Sequence, residues 1–310
     1  MRQDPTLTKL LKLTRKPIEF LDLCDRLDMS PRMLSAFALK NKVRLARGND
    51  HVQLSPHEQI RTVQDTRILP QKGKRQQVGV ISDLHLGSKY CLRAQLQDCV
   101  HHFYERGIRE TLIPGDLLDG CYKHGIFELS HTGIDAQVDD LAATLPRLRG
   151  MNYRAITGNH DFTFTELTGI NVGAVIHARR PDIHFYGDCG AFLKIYGAVV
   201  HLWHPLGGMS YAKSYKLQKQ IEKYGAGEKP DILLGGHVHQ FAVVEDRGVF
   251  GVLCPTFQAS GSAFSKRLGG QPALGGLIVS WDIAGKDLVR NFSVERRRYY
   301  EVELPQKVGR

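Results

Sequence analysis

Residues 78–87 read VGVISDLHLG, and this stretch decides the fold because an apolar run ends in two polar side chains. Val80 and Ile81 have the β-branched character of a buried strand. Asp83 and His85 follow directly, and the alternation of side chains along an extended chain places both on the same side. A carboxylate and an imidazole at this spacing can bind a metal ion, but a capping Asp beside a half-exposed His has the same pattern.

Further apolar stretches end in the same way, each followed by Asp, Asn or His and usually by a Gly that allows a tight turn. These stretches are 111–114, 153–156, 198–203 and 231–234. Helices are predicted between them around 92–106, 135–149 and 211–224, and closing strands are predicted over 276–282 and 288–294. The alternation of strands and helices predicts an α/β sheet whose strand ends form one rim.

The polar residues at this rim form five motifs, which are D-x-H, G-D-x-x-D, G-N-H-D, a lone His and G-H-x-H. In chain order they are Asp83/His85, Asp116/Asp119, Asn159/His160/Asp161, His204 and His237/His239. The series resembles the calcineurin-like metallophosphoesterase superfamily over about residues 78–255. The resemblance implies an α/β fold, a sandwich of two mixed sheets flanked by helices, and a metal-dependent phosphoric ester hydrolase.

The resemblance also implies two divalent metal ions, which can clamp both the attacking and the leaving oxygens of a phosphoryl group. By similarity to the family, one ion would be held by Asp83, His85, Asp116 and His239. The other would be held by the shared Asp116 and by Asn159, His204 and His237. Imidazole, carboxylate and amide ligands without thiolate suit Mn, Fe or Zn better than Ca. We expect manganese in activity assays, with Fe, Zn or Mg as alternatives.

Three residues of the motifs have other expected roles. The resemblance places His160 near the leaving group as an acid or charge stabiliser, with Asp161 as the partner that orients it. Asp119 is expected to hydrogen-bond a ligand histidine. His201 competes with His204 for the fourth motif, and strand alternation does not decide between them. His204 is favoured because it lies past the end of the apolar run, as the other ligands do.

The segment 204–219 is interpreted as a Gly turn that leads into a helix rich in Tyr and Lys. Tyr211 and Lys213 on this segment, and His124 on the loop after the second motif, are expected at the substrate approach. An amphipathic surface helix that covers the sheet is an equal alternative for 204–219. Arg296–Arg298 are interpreted as the solvated face of the last strand.

Residues 1–55 resemble a winged helix-turn-helix domain, and 56–77 are interpreted as a linker before the main domain at 78–310. Helices are predicted from Leu7, from Pro17 to Leu27 and over Pro31–Asn41, with a β-hairpin over 43–54. This domain holds 11 Lys and Arg against 6 Asp and Glu. The basic side chains predicted to contact nucleic acid are Arg32, Lys40, Lys42, Arg44 and Arg47. A solvated face on a protein-interaction or dimerisation module is the alternative.

The composition of the 310 residues is that of a globular protein, with 42% hydrophobic and 24% charged residues. No apolar stretch approaches the ~18–20 residues of a membrane helix, and no signal peptide is evident, so a cytoplasmic protein without membrane partners is expected. Six scattered cysteines without a C-x-x-C pair indicate neither a disulfide framework nor a thiolate zinc site. The formal charge of +10 favours a polyanionic partner.

These observations predict a nuclease that hydrolyses phosphodiester bonds of DNA. Gly120 and Asp161 depart from the protein Ser/Thr phosphatase branch, whereas ISDLHLG at 81–87 looks more like DNA-repair nucleases and small phosphodiesterases. One alternative is a phosphodiesterase or phosphatase for a small nucleotide or other phosphoester. A non-enzyme alternative is a DNA-binding regulator with an inactive phosphoesterase domain. The oligomeric state is not predicted.

Overall fold

The chain forms two compact units, Met1–Thr62 and Val63–Arg310. The structure, a computed structural model, describes residues 5–14, 18–30, 33–34, 37, 45–47, 51–54, 63–70, 75–122, 125–208, 210–225, 228–268, 271–284 and 288–301. Among these residues, no helix combines the length and the apolar character needed to cross a bilayer.

The first unit contains short helices and a small antiparallel sheet. Its elements are α1 (Pro5–Leu13), β1 (Ile18–Glu19), α2 (Phe20–Leu27), β2 (Leu45–Arg47) and β3 (His51–Leu54). The strand order is β1-β3-β2. Apolar residues three or four positions apart lie on one face of a helix, and here they form a common core. The buried core residues are Leu10, Leu23, Cys24, Leu27 and Leu34.

The second helix begins later than the sequence predicts. Ile18 and Glu19 were expected inside this helix after Pro17, but they pair with Val52 and His51 as an edge strand, and the helix begins at Phe20. Most of the predicted third helix, Pro31–Asn41, lies outside the described residues, although Met33, Leu34 and Phe37 are helical. Arg32, Lys40, Lys42 and Arg44 lie outside them as well. The backbone of Arg47 ends β2.

The second unit contains two mixed six-stranded sheets. The first sheet has the order β15-β14-β5-β6-β7-β8, in which the four strands from β5 to β8 are parallel. Its strands are β5 (Gln76–Val80), β6 (Glu110–Pro114), β7 (Asn152–Thr157), β8 (Ile183–Asp188), β14 (Gly275–Ala284) and β15 (Leu288–Arg298).

The second sheet has the order β12-β13-β11-β10-β9-β4, with β10, β11 and β13 parallel. Its strands are β4 (Val63–Ile68), β9 (Gly190–Ile195), β10 (Ala198–Trp203), β11 (Ile232–Gly235), β12 (Ala242–Asp246) and β13 (Val249–Leu253). The strand β4 contradicts the predicted linker over 56–77, and β5 also begins within that range. Polar side chains hold β4 on both sides, since Thr66 donates to the carbonyl of Lys194 in the neighbouring β9 and Gln64 donates to the carbonyl of Tyr186 in β8 of the first sheet.

The helices cover the outer faces of the two sheets. They are α3 (Arg93–Glu105), α4 (Ile134–Thr144), α5 (Asn159–Thr168), α6 (Val172–Arg179), α7 (Tyr215–Glu222) and α8 (Ala263–Leu268), with a 3₁₀ turn at Ile126–Glu128. α4 ends at Thr144 rather than at the predicted 149, because Leu145 precedes Pro146 and is extended. Residues from α3 to α6 pack on the first sheet, and α7 packs on the second.

The core between the two sheets is apolar. Val78 and Val80 of the first sheet pack in one buried cluster with Leu193, Val200 and Leu234 of the second sheet. The layers are therefore helix, sheet, sheet and helix, which is the α/β sandwich of two mixed sheets that the sequence predicts. This packing holds the carboxyl ends of β5, β6, β7, β10 and β11 in fixed positions.

Candidate metal centre

The seven predicted ligands follow five strands that belong to both sheets. Those after β5, β6 and β7 come from the first sheet, and those after β10 and β11 come from the second. The loops also bind one another, since the amide of Asp83 donates to the Gly115 carbonyl at 3.2 Å and that of Leu84 donates to the Asp116 carbonyl at 2.8 Å. The sequence predicts a rim of strand ends in one sheet, whereas the strands that form this rim belong to two sheets.

The backbone turns sharply at most of these ligand positions. Five of the seven residues have a positive φ, with values of 51° at Asp83, His85 and Asp116, 70° at His237 and 52° at His239. For residues with a Cβ, this left-handed conformation costs ~1–2 kcal/mol each. Such conformations persist only where the surrounding structure enforces them, and they concentrate at functional sites.

Asp116 presents one carboxylate oxygen to two imidazoles. Its Oδ1 accepts the backbone N–H of His160 at 2.8 Å, which fixes the carboxylate plane. Its Oδ2 lies 3.2 Å from His204 Nε2 and 4.0 Å from His85 Nε2. One oxygen thus lies between nitrogens that come from different sheets, which is the position required of an atom shared by two cations.

The tautomers of two histidines follow from their carbonyl partners. His204 Nδ1 lies 2.9 Å from the Pro114 carbonyl oxygen, and His237 Nε2 lies 3.0 Å from that of Gly207. A carbonyl oxygen only accepts, so both of these nitrogens carry hydrogen. Their other nitrogens, His204 Nε2 and His237 Nδ1, are then the ones that would bind a cation. His204 Nε2 already faces oxygens, since it lies 3.2 Å from Asp116 Oδ2 and 2.9 Å from Asn159 Oδ1. A fixed outer N–H is typical of metal-ligating histidines.

His85 and His239 face each other across the other half of the centre. His85 Nδ1 lies 3.0 Å from Asp119 Oδ1, and its Nε2 lies 3.1 Å from His239 Nε2. His239 Nε2 also lies 3.5 Å from Asp83 Oδ1. Nδ1 of His239 is buried and has no hydrogen-bond partner among the described residues. Two imidazoles and a carboxylate therefore converge without the hydrogen bonds that would satisfy all of their nitrogens.

The donors form three groups within the part of the chain that the structure describes. In each group the ligand atoms lie within 4.8 Å of one another, and the groups are Asp83/His85/His239, His85/Asp119/His160 and Asp116/His204/His237. Asn159 Oδ1, 2.9 Å from His204 Nε2, joins the last group. The first and last groups have the carboxylate, imidazole and amide donors that suit divalent transition metals.

Burial and charge set the pKa values at the centre. Burial alone would raise the pKa of Asp116, but the charges of His204 and His160 hold it well below its usual value. Burial alone would lower the pKa of His204, but the charge of Asp116 raises it to about 9. Burial and the charge of His204 lower the pKa of His237 to about 4. The buried carboxylates thus favour positive charge beside them, which a bound cation also supplies.

Tyr122 orients the ligand amide and was missed by the sequence analysis. Its hydroxyl accepts Nδ2 of Asn159 at 2.9 Å and donates to the Asn159 carbonyl at 3.2 Å. The amide nitrogen therefore faces Tyr122, and Oδ1 faces His204. Tyr122 lies 37 residues before Asn159 in the chain, and the only sequence signal for it is its place soon after the second motif.

His160 lies at the edge of the cluster with its ring fixed by the backbone. Its Nδ1 lies 2.7 Å from the carbonyl oxygen of Asp119, so this nitrogen carries hydrogen and Nε2 is free. The ring makes edge contacts with His85 and Tyr122, at centroid distances of 4.6 Å and 4.8 Å. The side chain is 19% exposed, which is sufficient for contact with a bound molecule.

The structure contradicts the role predicted for Asp161 as the partner of His160. The Asp161 carboxylate accepts the amides of Leu117 at 3.2 Å, Leu118 at 2.8 Å and Gly158 at 2.8 Å, so backbone groups occupy both oxygens. Burial and the charge of nearby carboxylates raise its pKa to about 7. Asp161 therefore joins the loops of the second and third motifs, which the sequence pattern does not reveal.

His201 is packed within the second sheet. Its ring stacks on Phe192 with a centroid distance of 4.0 Å, and Nδ1 contacts the hydroxyl of Tyr224. These contacts differ from those of His204, which faces Asp116 and Asn159.

Two of the three residues predicted at the substrate approach lie within the described residues. Tyr211 is fully exposed, and Lys213 lines a separate cleft. His124 lies outside the described residues. Lys216 donates to the carbonyl of Gly207, the residue that also binds His237, so this lysine supports the centre from outside.

The comparison with known proteins agrees with this geometry. The family model described as calcineurin-like phosphoesterase matches residues 77–241, more than half of the chain. The chain belongs to the calcineurin-like phosphoesterase family. Membership in this family supports a metal-dependent phosphoester hydrolase. No curated protein matches the sequence.

Several solved structures are similar to this chain. An archaeal phosphodiesterase is 13% identical, with a TM-score of 0.42 over 71% of this chain and 99% of its own. A predicted phosphoesterase from Streptococcus pneumoniae TIGR4 is 13% identical, with a TM-score of 0.39 over 73% and 90%. Vps29 from Entamoeba histolytica, complexed with Zn, is 16% identical, with a TM-score of 0.38 over 72% and 99%.

Proposed function

We propose that the protein is a two-metal phosphodiesterase that hydrolyses nucleic acid, with DNA as the substrate. The observation that carries hydrolysis is the position of Asp116 Oδ2, which lies between Nε2 of His204 and Nε2 of His85. In this proposal Asp83, His85 and His239 would hold one ion, Asn159, His204 and His237 would hold the other, and Asp116 would be a ligand of both. Two such ions polarise the phosphoryl group and supply a nucleophile at neutral pH.

His160 acts in this proposal on the leaving group. The Asp119 carbonyl binds Nδ1, so Nε2 is the atom that would hold a proton for the departing oxygen. Burial lowers the pKa of His160, which makes its proton easier to donate. Asp119 and Tyr122 are positioning residues in this proposal, because Asp119 holds the rings of His85 and His160 and Tyr122 holds the amide of Asn159.

The preference for nucleic acid rests on the first unit and on charge. Half of the formal net charge of +10 comes from residues 1–55. We interpret that unit as a winged helix-turn-helix domain, because helical residues form its described core and a small sheet ends in the hairpin β2–β3. In this interpretation Arg32, Lys40, Lys42, Arg44 and Arg47 contact phosphates.

The experiment is a substrate screen of the full-length protein with Mn²⁺, and with Fe²⁺, Zn²⁺ or Mg²⁺ in parallel. The substrates are single- and double-stranded DNA, RNA, cyclic nucleotides and bis-p-nitrophenyl phosphate. Cleavage of DNA with a higher kcat/KM than cyclic nucleotides supports the proposal. Hydrolysis confined to cyclic nucleotides would support a small-molecule phosphodiesterase instead. DNA binding without hydrolysis of any ester under any metal would support the regulator.

A further inference from the structure

A cleft of about 350 Å³ lies outside the metal centre, between the last strand and the segment that follows α8. Three cations line it, which are Lys213, Arg296 and Arg298, together with one acid, Glu301. The acid offsets one of them, and its carboxylate also accepts the amide and the hydroxyl of Ser260, so the lining keeps an excess of positive charge. None of the three cations forms an ion pair within the described residues, so the cleft attracts anions.

Arg296 is the most enclosed of these cations and is incompletely satisfied. Nη2 donates to the Leu274 carbonyl at 3.1 Å, but Nε is buried and has no hydrogen-bond partner in the described part of the chain. Burial and the neighbouring charge of Arg298 lower the pKa of Arg296. Two guanidinium groups that line one cleft are the groups with which proteins bind phosphate oxygens.

Aromatic rings line the same cleft. Phe241 lies under the guanidinium of Arg296 at 5.3 Å, and Tyr300 lies under that of Arg298 at 4.7 Å. Tyr300 is 66% exposed, so its ring is available to a ligand. Aromatic faces beside cations are the combination that binds the base and the phosphate of a nucleotide. A free inorganic anion would use only the cations.

The cleft shares backbone with the metal centre. Gln240, one of its lining residues, directly follows His239. Ala273, another lining residue, donates its amide to the carbonyl of His239 at 2.8 Å and accepts the amide of Thr256. Thr256 in turn donates its hydroxyl to the carbonyl of Asp83 at 2.8 Å. The wall of the cleft is therefore fixed to two of the candidate ligands.

We propose that this cleft binds one nucleotide unit of the substrate, with its phosphate on Arg296 and Arg298 and its base on the aromatic rings. The inference rests on the proposed function, because it treats the cleft as a subsite beside the metal centre. The proposal also gives Lys213 a role at the substrate, because its side chain lines the cleft. Tyr211, which is close to it in sequence, does not line the cleft.

The test measures nucleotide binding and oligonucleotide cleavage with the full-length protein. Binding of adenosine 5′-monophosphate is followed by calorimetry for the wild type, Arg298→Gln, Arg296→Gln and Tyr300→Ala. Arg290→Gln is the matched control, because Arg290 is exposed on the same strand and does not line the cleft. Arg298 and Tyr300 are exposed, so these variants remain informative if Arg296→Gln fails to fold.

We expect each arginine variant to weaken nucleotide binding by about tenfold, which is the loss typical of one charge-assisted hydrogen bond. The control variant should weaken binding by less than about twofold. Tyr300→Ala should weaken binding of the nucleotide but not of inorganic phosphate. KM for a short oligonucleotide should rise in parallel. Equal binding by Arg298→Gln, Tyr300→Ala and the control would overturn the subsite.

Three further outcomes separate this inference from the proposed function. Nucleotide binding that is lost in Asp116→Asn but kept in Arg298→Gln would place the nucleotide at the metal centre and overturn the subsite. Arginine-dependent nucleotide binding by a protein that cleaves no nucleic acid would support the cleft as a nucleotide site and overturn the function. If Arg298→Gln cleaves DNA with an unchanged KM, the proposed function would be supported and the subsite would be overturned.

Discussion

Asp116 offers only one carboxylate oxygen to the imidazoles, because the amide of His160 occupies the other. An Asn at this position can keep the oxygen that accepts the amide while it loses the negative charge of Oδ2. The fold and the metal site should therefore respond differently to this substitution.

We predict that Asp116→Asn abolishes hydrolysis and lowers the metal content, while the circular dichroism spectrum stays unchanged. Metal content is measured by mass spectrometry after purification with Mn²⁺. Asp135→Asn, an exposed position at the start of α4, is the control and should retain both properties. Two ions bound per chain with activity retained in Asp116→Asn would contradict the shared-ligand role.

For His160, we predict a loss that depends on the leaving group. His160→Gln should keep its metal ions and lose ~10²–10⁴-fold activity on a DNA phosphodiester, the usual contribution of a general acid. The loss should be much smaller on a p-nitrophenyl ester, because nitrophenolate departs without a proton. The measurement is kcat on both substrates, with the exposed His101→Gln as the control. Equal losses on both esters would indicate charge stabilisation instead.

At the scale of elements, the loop between β7 and α5 passes very close to the loop after β6. A Cβ on Gly158 would lie 2.1 Å from Asp116 Oδ1 and 2.5 Å from its backbone nitrogen. The φ of Gly158 is −108°, which any residue adopts, so the requirement for glycine is purely steric. Close packing of these two loops therefore sets the position of the shared carboxylate.

Gly158→Ala should displace Asp116 and reduce both metal content and activity, with a stability loss of ~1–3 kcal/mol from overpacking. Chemical denaturation and metal analysis measure the two effects. Gly125→Ala is the control, because its added Cβ would have no neighbour closer than 3.8 Å. Full metal content in the Gly158 variant would show that the loops move apart at little cost.

Asp161 joins the same loops through hydrogen bonds, so its substitution should act on the fold. Asp161→Asn places an amide NH₂ where a carboxylate oxygen accepts backbone N–H groups, and we predict a loss of ~1–3 kcal/mol in the free energy of unfolding. Urea denaturation of the metal-depleted protein measures it, and Asp135→Asn again is the control. Unchanged stability together with the leaving-group dependence predicted for His160 would instead support an orienting role for Asp161.

The strands and their polar ends could be predicted from the sequence because they depend on local patterns. The apolar runs predicted at 111–114 and 198–203 correspond to β6 and β10, and the rim residues follow from where such runs end. The range 56–77, which contains β4, is predicted to be a linker. β4 is an edge strand held by polar side chains, so its sequence has no apolar run that would indicate a strand. Tyr122 and Asp161 act through partners that are distant in sequence or belong to the backbone, and no local pattern specifies those contacts.

At the scale of the whole molecule, charge in the first unit should control the salt dependence of DNA binding. We predict that replacing Arg32, Lys40, Lys42, Arg44 and Arg47 together by Gln weakens binding and lowers the salt slope by about 0.9 for each phosphate that the variant no longer neutralises. The matched control replaces Arg2, Lys9, Lys12, Arg15 and Lys16, which removes the same charge from the same unit. Binding is measured by fluorescence anisotropy over a series of salt concentrations. Equal slopes for both variants would show that net charge, rather than a defined surface, attracts DNA.

The positive φ values at five candidate ligands bear on how this protein would respond to engineering. Glycine adopts that conformation without a steric penalty, so Gly at His85, Asp116 or His239 would relieve backbone energy while it removes a side chain that the proposed chemistry requires. The strained backbone at these positions is therefore kept for chemistry rather than for stability. Stability and activity compete here at the same residues, so any library aimed at a hardier enzyme has to hold them constant.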